Sequence, residues 1–132
     1  AGHAGLFSNA HDVAVIMQML LNRGEYGGKR YIQSSTVDKF LSRQERSSRR
    51  ALGFDMKELN EYKTLNMCEE AAEETFGHLG FTGTAAWADP VNGLVYVFLS
   101  NRTYPSMSNN ILHRGNYRPK IQSSAYKALK HQ

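Results

Sequence analysis

The chain lacks the features that define several common classes of protein. A single cysteine, Cys68, cannot form an internal disulfide or supply a thiolate cluster for zinc, so the fold depends on its apolar core. The same count leaves the redox compartment undecided. The longest apolar run, Leu94 to Leu99, has the length of a strand, whereas a helix that crosses a bilayer needs about 20 apolar residues. The sequence therefore predicts no transmembrane segment.

Acidic residues are missing from the last third of the chain. Residues 90–132 contain six Lys and Arg and no acid, whereas residues 1–89 contain ten basic and twelve acidic residues, and the net charge is +4. This asymmetry is compatible with a nucleic-acid face, with attraction of carboxylate-bearing substrates, or with pairing against an acidic part of a longer chain. We favour a solvated basic face and expect no nucleic-acid partner.

The length of 132 residues suits one compact domain, and 41% apolar with 21% charged residues is typical of a soluble globular protein. The first residues, Ala1 to Phe7, have no initiator methionine and no signal-peptide pattern, and they lead directly into a predicted helix. We expect that other residues precede them. Residues 1–132 are therefore interpreted as a single partial domain.

Two helices are predicted in the first third. One begins after a cap at Ser8 or Asn9, with Asp12 as the reciprocal partner, and ends at Gly24. Its core-facing stripe has helical spacing and consists of Val13, Ile16, Met17, Leu20 and Leu21. A shorter helix is predicted from Ser35, with Asp38 as its capping partner and Val37, Phe40 and Leu41 on one face.

The middle of the chain reads as loops around one short strand. Residues 43–50 hold four arginines with few apolar neighbours, and we interpret them as a solvated loop. Alternation at Leu52, Phe54 and Met56 predicts a strand with one buried face. The acid-rich residues 57–74 favour a hairpin excursion or an exposed loop.

The last half predicts a hairpin and a closing helix. Strands are expected from Thr82 to Ala88 and from Leu94 to Leu99, joined by turn residues 89–93. Because the second strand is unbroken in its apolar character, we expect cover on both faces of the sheet. A helix from about Pro119, with Ile121, Ala125, Ala128 and Leu129 at helical spacing, supplies one cover. The predicted fold class is α+β, an antiparallel sheet with helices packed on both faces.

The segment 76–84 is the strongest candidate for chemistry. It places three glycines, two threonines and His78 at the start of a predicted strand. Glycine weakens strands, so either tight sheet packing or the close approach of a ligand to the backbone must account for them. Taken alone, a single strand histidine is more often structural than functional.

The same segment resembles the C-terminal part of the serine β-lactamase and penicillin-binding protein superfamily. The similarity lies in His78-Leu79-Gly80-Phe81-Thr82-Gly83-Thr84, in Trp87-Ala88-Asp89-Pro90, and in Leu99 to Pro105. The opening residues 2–14 are similar to the loop and helix that precede this region in class C β-lactamases and related esterases. The order of predicted elements also follows the family, so the resemblance covers nearly the whole chain.

The resemblance implies a serine hydrolase that attacks an amide or ester and forms an acyl-enzyme. His78-Leu79-Gly80 matches the third family motif, His-x-Gly or Lys-Thr-Gly. The side chain of His78 would orient the proton-transfer network, and the amide of Phe81 would be one of two oxyanion donors. The candidate catalytic residues are His78, Gly80 and Phe81, and the candidate substrate-binding residues are Thr82, Arg102 and Tyr104.

Two departures from the family pattern restrict the transfer. Leu79 stands where threonine is frequent, which argues against β-lactam specificity. The family's Ser-x-x-Lys and Tyr-x-Asn motifs, which lie upstream of the third motif, are absent. The formal matches at Ser124 to Lys127 and at Ser108 to Asn110 lie downstream, and we interpret both as coincidence. The simplest hypothesis is a C-terminal fragment that is inactive by itself, because its nucleophile belongs to a missing N-terminal portion.

Other expectations follow from the same reasoning. The substrate would be a cell-wall peptide, a β-lactam or a small ester, and the location extracytoplasmic. No metal and no cofactor are expected, although His3 and His11 flank the opening loop. An exposed sheet edge would favour pairing with the missing portion or a homodimer. A non-catalytic binding or docking module of the same fold is the alternative.

Overall fold

The computed structural model of the chain describes residues 4–129. A four-stranded antiparallel sheet in the order β3-β4-β5-β6 forms its centre, and a separate two-stranded hairpin is made by β1 and β2. This α+β arrangement confirms the predicted fold class. The elements are α1 (Ala10–Leu21), β1 (Glu25–Tyr26), β2 (Lys29–Arg30), α2 (Ser34–Leu41), β3 (Asp55–Met56), β4 (Phe76–Leu79), β5 (Ala85–Asp89), β6 (Leu94–Phe98), α3 (Ile111–Arg114) and α4 (Tyr117–Leu129).

Helices cover both faces of the sheet because successive side chains of a strand point to opposite faces. Ala85 and Trp87 of β5 pack with Tyr126 of α4, whereas Ala88 packs with Met17 of α1. All five residues of β6 are half-buried, as expected for a strand with cover on both faces. None of the helices in the described residues is both long and apolar enough to cross a bilayer.

The first helix has the predicted start and stop, but the second does not have the predicted cap. Asn9 caps α1, since its side chain accepts a hydrogen bond from the amide of Asp12 and donates one to the carboxylate of Asp12. Gly24 adopts the left-handed conformation, with φ of +92°. Helix α2 begins at Ser34 after Gln33, which makes no side-chain cap. Asp38 is instead paired with Arg23, which holds the pKa of the carboxyl below its ordinary value through a hydrogen bond.

The predicted strand from Thr82 to Ala88 is wrong at its start. Strand β4 ends at Leu79 and β5 begins at Ala85, so Thr82 lies in the turn that joins them. Gly83 has φ of +99°, a conformation that a strand does not contain. The hairpin of β5 and β6 is confirmed by its antiparallel register, in which Ala85 pairs with Phe98.

Helix α4 buries a different face from the predicted one. Gln122 and Tyr126 are its buried residues, while Ile121 and Leu129 are more than 40% exposed. Polar contacts determine which face of α4 turns towards the sheet, because the Gln122 side chain accepts a hydrogen bond from the amide of Cys68 at 2.9 Å. This bond satisfies the buried oxygen of Gln122, whereas its Nε2 has no hydrogen-bond partner among the described residues.

Asp89 is the main polar anchor beneath α4. Only 1% of the residue is exposed, and its carboxylate accepts hydrogen bonds from the amides of Ala72, Val91 and Asn92, the Asn92 side chain and the Tyr126 hydroxyl, the last at 2.7 Å. Burial alone raises the pKa of Asp89, but the hydrogen bonds from Ala72, Tyr126 and Asn92 outweigh it and lower the pKa to about 2. The carboxylate therefore joins the loop before β4, the β5–β6 turn and α4. Nearby, the thiol of Cys68 is buried, and burial raises its pKa to about 11.

Candidate active site

The imidazole of His78 is exposed on the sheet face that α1 covers. His78 pairs with Ala86 across β4 and β5, and it lies two residues after Phe76, which packs against Met17. Gly77 allows the two strands to approach, because a Cβ there would lie 1.9 Å from the carbonyl oxygen of Ala86. The glycine that precedes His78 is thus explained by sheet packing.

Two contacts distinguish the ring nitrogens of His78. Nδ1 lies 2.7 Å from the carbonyl oxygen of Leu79, which can only accept, and Nε2 lies 3.4 Å from Nη1 of Arg50, which can only donate. The neutral tautomer with its proton on Nδ1 satisfies both contacts. Nε2 of this tautomer is an acceptor whose neighbour is a guanidinium.

A groove of about 500 Å³ runs beside the imidazole, between the start of α1 and the sheet. Its polar members are Ser8, Asp12 and His78. Two apolar members, Leu6 and Ile16, are 86% and 53% exposed, which is an unfavourable surface for a protein to leave in water. The remaining walls are largely apolar and include Val13, Met17, Phe54 and Ala86.

The arginine-rich loop is not simply solvated, which corrects the sequence interpretation. Asp55 of β3 is only 2% exposed and forms ion pairs with Arg49 and Arg50. Arg43 is half-buried and donates to the carbonyls of Ser48 and Lys57. A buried carboxylate requires such partners, so Asp55 holds Arg50 beside His78. Sequence reasoning missed Arg50 and Asp55, and the available signal was an acid in the middle of the apolar segment 51–56.

A tight turn follows His78 and carries the predicted oxyanion donor. The amide of Gly80 donates to the carbonyl of Thr84 at 2.8 Å, and the amide of Gly83 donates to the carbonyl of Gly80 at 3.0 Å. Among the hydrogen bonds of the described residues, the amide of Phe81 donates to none. Its ring is 67% exposed. Phe81 therefore presents a backbone donor that the ladder does not use.

Arg102 shapes this turn through contacts with its backbone. Its Nε donates to the carbonyl of Phe81 at 2.8 Å, its guanidinium lies 4.7 Å from the centre of the Phe81 ring, and its own amide donates to the carbonyl of Thr82. The Nη1 atom donates to the carbonyls of Met107 and Asn109. The structure thus brings Phe81, Thr82 and Arg102 together. Tyr104 lies apart in the following loop and is 77% exposed.

Replacing Gly80 by alanine is expected to destabilise this turn. An added Cβ would lie 1.9 Å from Oγ1 of Thr84, so the threonine must move, at a cost of about 1–3 kcal/mol of unfolding free energy. Because the obstacle is one hydroxyl, Thr84→Ala in the Gly80→Ala background should recover most of the loss. Urea unfolding of the two single variants and the double variant measures this coupling, and a purely additive result would contradict it.

The formal Ser-x-x-Lys match lies away from the groove. Ser124 is an exposed residue of α4, on the opposite side of the sheet from α1, and its hydroxyl donates to the carbonyl of Lys120 at 3.3 Å. Ser108 is exposed in the loop before α3, where its hydroxyl contacts that of Ser106. Neither serine is brought to His78.

No metal centre is found in the part of the chain that the structure describes. Within residues 4–129, no three His, Cys, Asp or Glu side chains lie close enough together to hold a metal ion. His11 is exposed on α1. His3, the other histidine of the opening loop, lies outside the described residues.

A protein-family model and several known proteins match most of the chain. A family model described as Beta-lactamase matches residues 1–116. Proteins described as "Putative D-alanyl-D-alanine carboxypeptidase" from Salmonella agona (strain SL483), Salmonella typhi and Salmonella paratyphi B are each 39% identical to the chain over 109 residues. The match covers 83% of this chain and 25% of each relative. The chain therefore spans about a quarter of the length of these relatives.

Proposed function

The chain belongs to the beta-lactamase family, and from this premise we propose that it is the C-terminal portion of a serine hydrolase that works through an acyl-enzyme. The observation that carries the proposal is the arrangement of the third family motif. The imidazole of His78 borders an open groove, and three residues later the amide of Phe81 has no acceptor among the described residues. A carbonyl substrate needs such a donor for the negative charge of its transition state.

In this proposal the groove beside His78 receives the missing N-terminal portion of the same domain. The chain spans a quarter of the length of its relatives, so most of a full-length protein would lie outside it. The exposed apolar side chains of Leu6 and Ile16 favour a packed segment over water at the groove. That segment would carry the Ser-x-x-Lys nucleophile. The unpaired edge of β6 is a second place where this portion, or a second copy of the chain, would add a strand.

Each residue has a defined part in the proposed chemistry. The serine of the missing portion attacks the carbonyl carbon while the lysine of its Ser-x-x-Lys motif takes the hydroxyl proton, and the amide of Phe81 donates to the oxygen as it becomes negative. The bond to the amine or alcohol then breaks, this leaving group takes a proton, and water hydrolyses the acyl-enzyme. His78 orders the proton-transfer network through Nε2, while Arg50 supplies the positive charge next to the imidazole. Gly80 and Arg102 hold the turn in the shape that exposes the amide. Thr82 and Tyr104 are the nearest candidates for substrate contacts.

The substrate class that fits best is a peptide ending in D-alanyl-D-alanine. The relatives named above carry this specificity in their descriptions. Leu79 stands where a threonine hydroxyl would contact a substrate carboxylate, and because such peptides and β-lactams both carry this carboxylate, Leu79 does not distinguish between them. Such peptides belong to the cell wall, so the proposed location is extracytoplasmic.

The proposal is tested by comparing the chain with a longer protein that contains it. We expect the 132-residue chain to show negligible hydrolysis of nitrocefin, p-nitrophenyl esters or a D-alanyl-D-alanine peptide. The longer protein should release D-alanine, and replacement of its upstream Ser-x-x-Lys serine should abolish the release. Ser124→Ala is the matched control and should leave the release unchanged. Peptide binding without release by the longer protein would instead favour a non-catalytic binding module.

A further inference from the structure

A cationic pocket lies at the sheet end near Gly80 and the start of α4. Two adjoining cavities of about 210 and 220 Å³ share the residues Leu79, Leu112, His113 and Arg118. Arg49 lines the first cavity and Arg102 lines the second. The residues that line either cavity include no aspartate and no glutamate.

Arg118 is the most informative residue of this pocket. It is half-buried, and the only hydrogen bond that its guanidinium makes within the described residues is a long one of 3.4 Å to the carbonyl of Thr84. Burial and the neighbouring charge of Arg102 both lower the pKa of Arg118. Partial burial of a cation beside a second cation costs free energy, and an anion bound in the pocket would offset this cost.

Other features of the pocket add positive potential. Arg49 is already paired with Asp55, but Arg102 donates only to neutral carbonyls and keeps its full charge. The first turn of α4, a helix of 13 residues, contributes Arg118 and Pro119 to the lining of the first cavity. The positive end of the helix dipole therefore faces the same space.

We propose that this pocket binds a small oxyanion, a phosphate or carboxylate group, with Arg118 as the principal donor. Arginine suits both groups because its planar fork donates two parallel hydrogen bonds to a pair of oxygens. Each cavity has roughly seven times the volume of one water molecule in the liquid, which accommodates such a group. Gly80, Phe81 and Arg102 of the proposed active-site turn line the second cavity, so the bound anion would lie next to that turn. His78 lines the groove and neither cavity, and the test below measures anion binding without hydrolysis, so its outcome is separate from that of the proposed reaction.

The test is a titration of the ¹⁵N-labelled 132-residue chain with inorganic phosphate, followed by NMR at constant ionic strength. We expect saturable shifts at the amides of Leu79, Gly80 and residues 116–118, with a dissociation constant in the millimolar range. Acetate replaces phosphate in a second arm. Tighter binding of phosphate identifies a phosphoryl group as the natural ligand, and equal or tighter binding of acetate identifies a carboxylate.

Three variants establish which residue holds the anion. Arg118→Gln is expected to weaken binding at least tenfold, and Arg118→Lys less, because lysine keeps the charge but loses the fork. Arg114→Gln, an exposed arginine of α3, is the control and should change binding less than twofold. Shifts in the wild-type chain that rise linearly without saturation would overturn the proposal, whether or not the Arg118 variants fold. An equal loss in Arg114→Gln would also overturn it, because it would indicate diffuse attraction.

Discussion

Replacement of Asp89 by asparagine is expected to lower the free energy of unfolding by about 1–3 kcal/mol, the usual cost of leaving a buried hydrogen-bonding group without its partner. Oδ1 accepts from the amides of Val91 and Asn92, and Oδ2 accepts from the amide of Ala72. Asparagine puts an NH₂ group at one of these two positions. In either orientation this donor faces a backbone N–H, and the bond is lost. Since single domains have a stability of about 5–15 kcal/mol, the variant retains only part of it.

Urea unfolding of the 132-residue chain and its variants measures this effect. Asp38→Asn is the matched control, because it makes the same chemical change at an exposed carboxylate paired with Arg23, where solvent screens the charges and the expected loss of stability is much smaller. Equal losses in the two variants would contradict the anchoring role of Asp89.

The same residue gives the stability a defined pH dependence. The pKa of Asp89 falls from 3.8 to about 2 on folding, so the folded chain binds this proton more weakly than the unfolded chain. The stabilisation is complete above about pH 4 and is lost as the pH falls towards 2. A shift of this size corresponds to roughly 2 kcal/mol. Asp89→Asn should lack this part of the acid dependence, which unfolding curves between pH 2 and pH 6 would reveal.

His78→Gln, introduced into a longer protein that contains this chain and the upstream motifs, is expected to lower kcat/KM by about 10² to 10⁴-fold. Glutamine retains hydrogen-bonding groups at this position but lacks the rigid ring through which Nε2 orders the proton-transfer network. Because the loss concerns proton transfer, most of it should appear in kcat and little in KM. Release of D-alanine from a peptide substrate is the measurement.

His11→Gln provides the control for this experiment. His11 is exposed on α1 and does not line the groove, so activity should stay within about twofold of the unsubstituted protein. If His78→Gln kept nearly full activity in a protein that the upstream serine variant inactivates, the family reaction would remain and the role of His78 would be wrong.

The elements that the sequence predicted correctly are those that residues close together in the chain determine. The start of α1 follows from Asn9 and Asp12, three residues apart, and the β5–β6 hairpin follows from turn residues between two apolar runs. The start of β5 failed because Thr82 has a high strand propensity, whereas its neighbour Gly83 adopts a positive φ that bends the chain. Propensity describes each residue separately and does not include this competition.

The candidate site was predicted only in part, because some of its residues are neighbours in sequence and others are distant. The motif around His78 is continuous in sequence, so resemblance was sufficient to find it. Arg50 lies 28 residues earlier and reaches the imidazole only because Asp55 is buried beside β4. Arg118 and Gln122 likewise depend on how α4 is rotated over the sheet, which contacts with Thr84 and Cys68 determine. Such long-range partners leave no periodic signal along the chain.

The burial of Cys68 protects its thiol from reagents that modify cysteine. Its thiol is covered, and its pKa of about 11 leaves very little thiolate at neutral pH, the form that alkylating reagents attack. A cysteine introduced at an exposed position, such as Lys29 in β2, would therefore accept a maleimide dye or spin label in preference to the native one. Distances to the groove become measurable without first removing the natural cysteine.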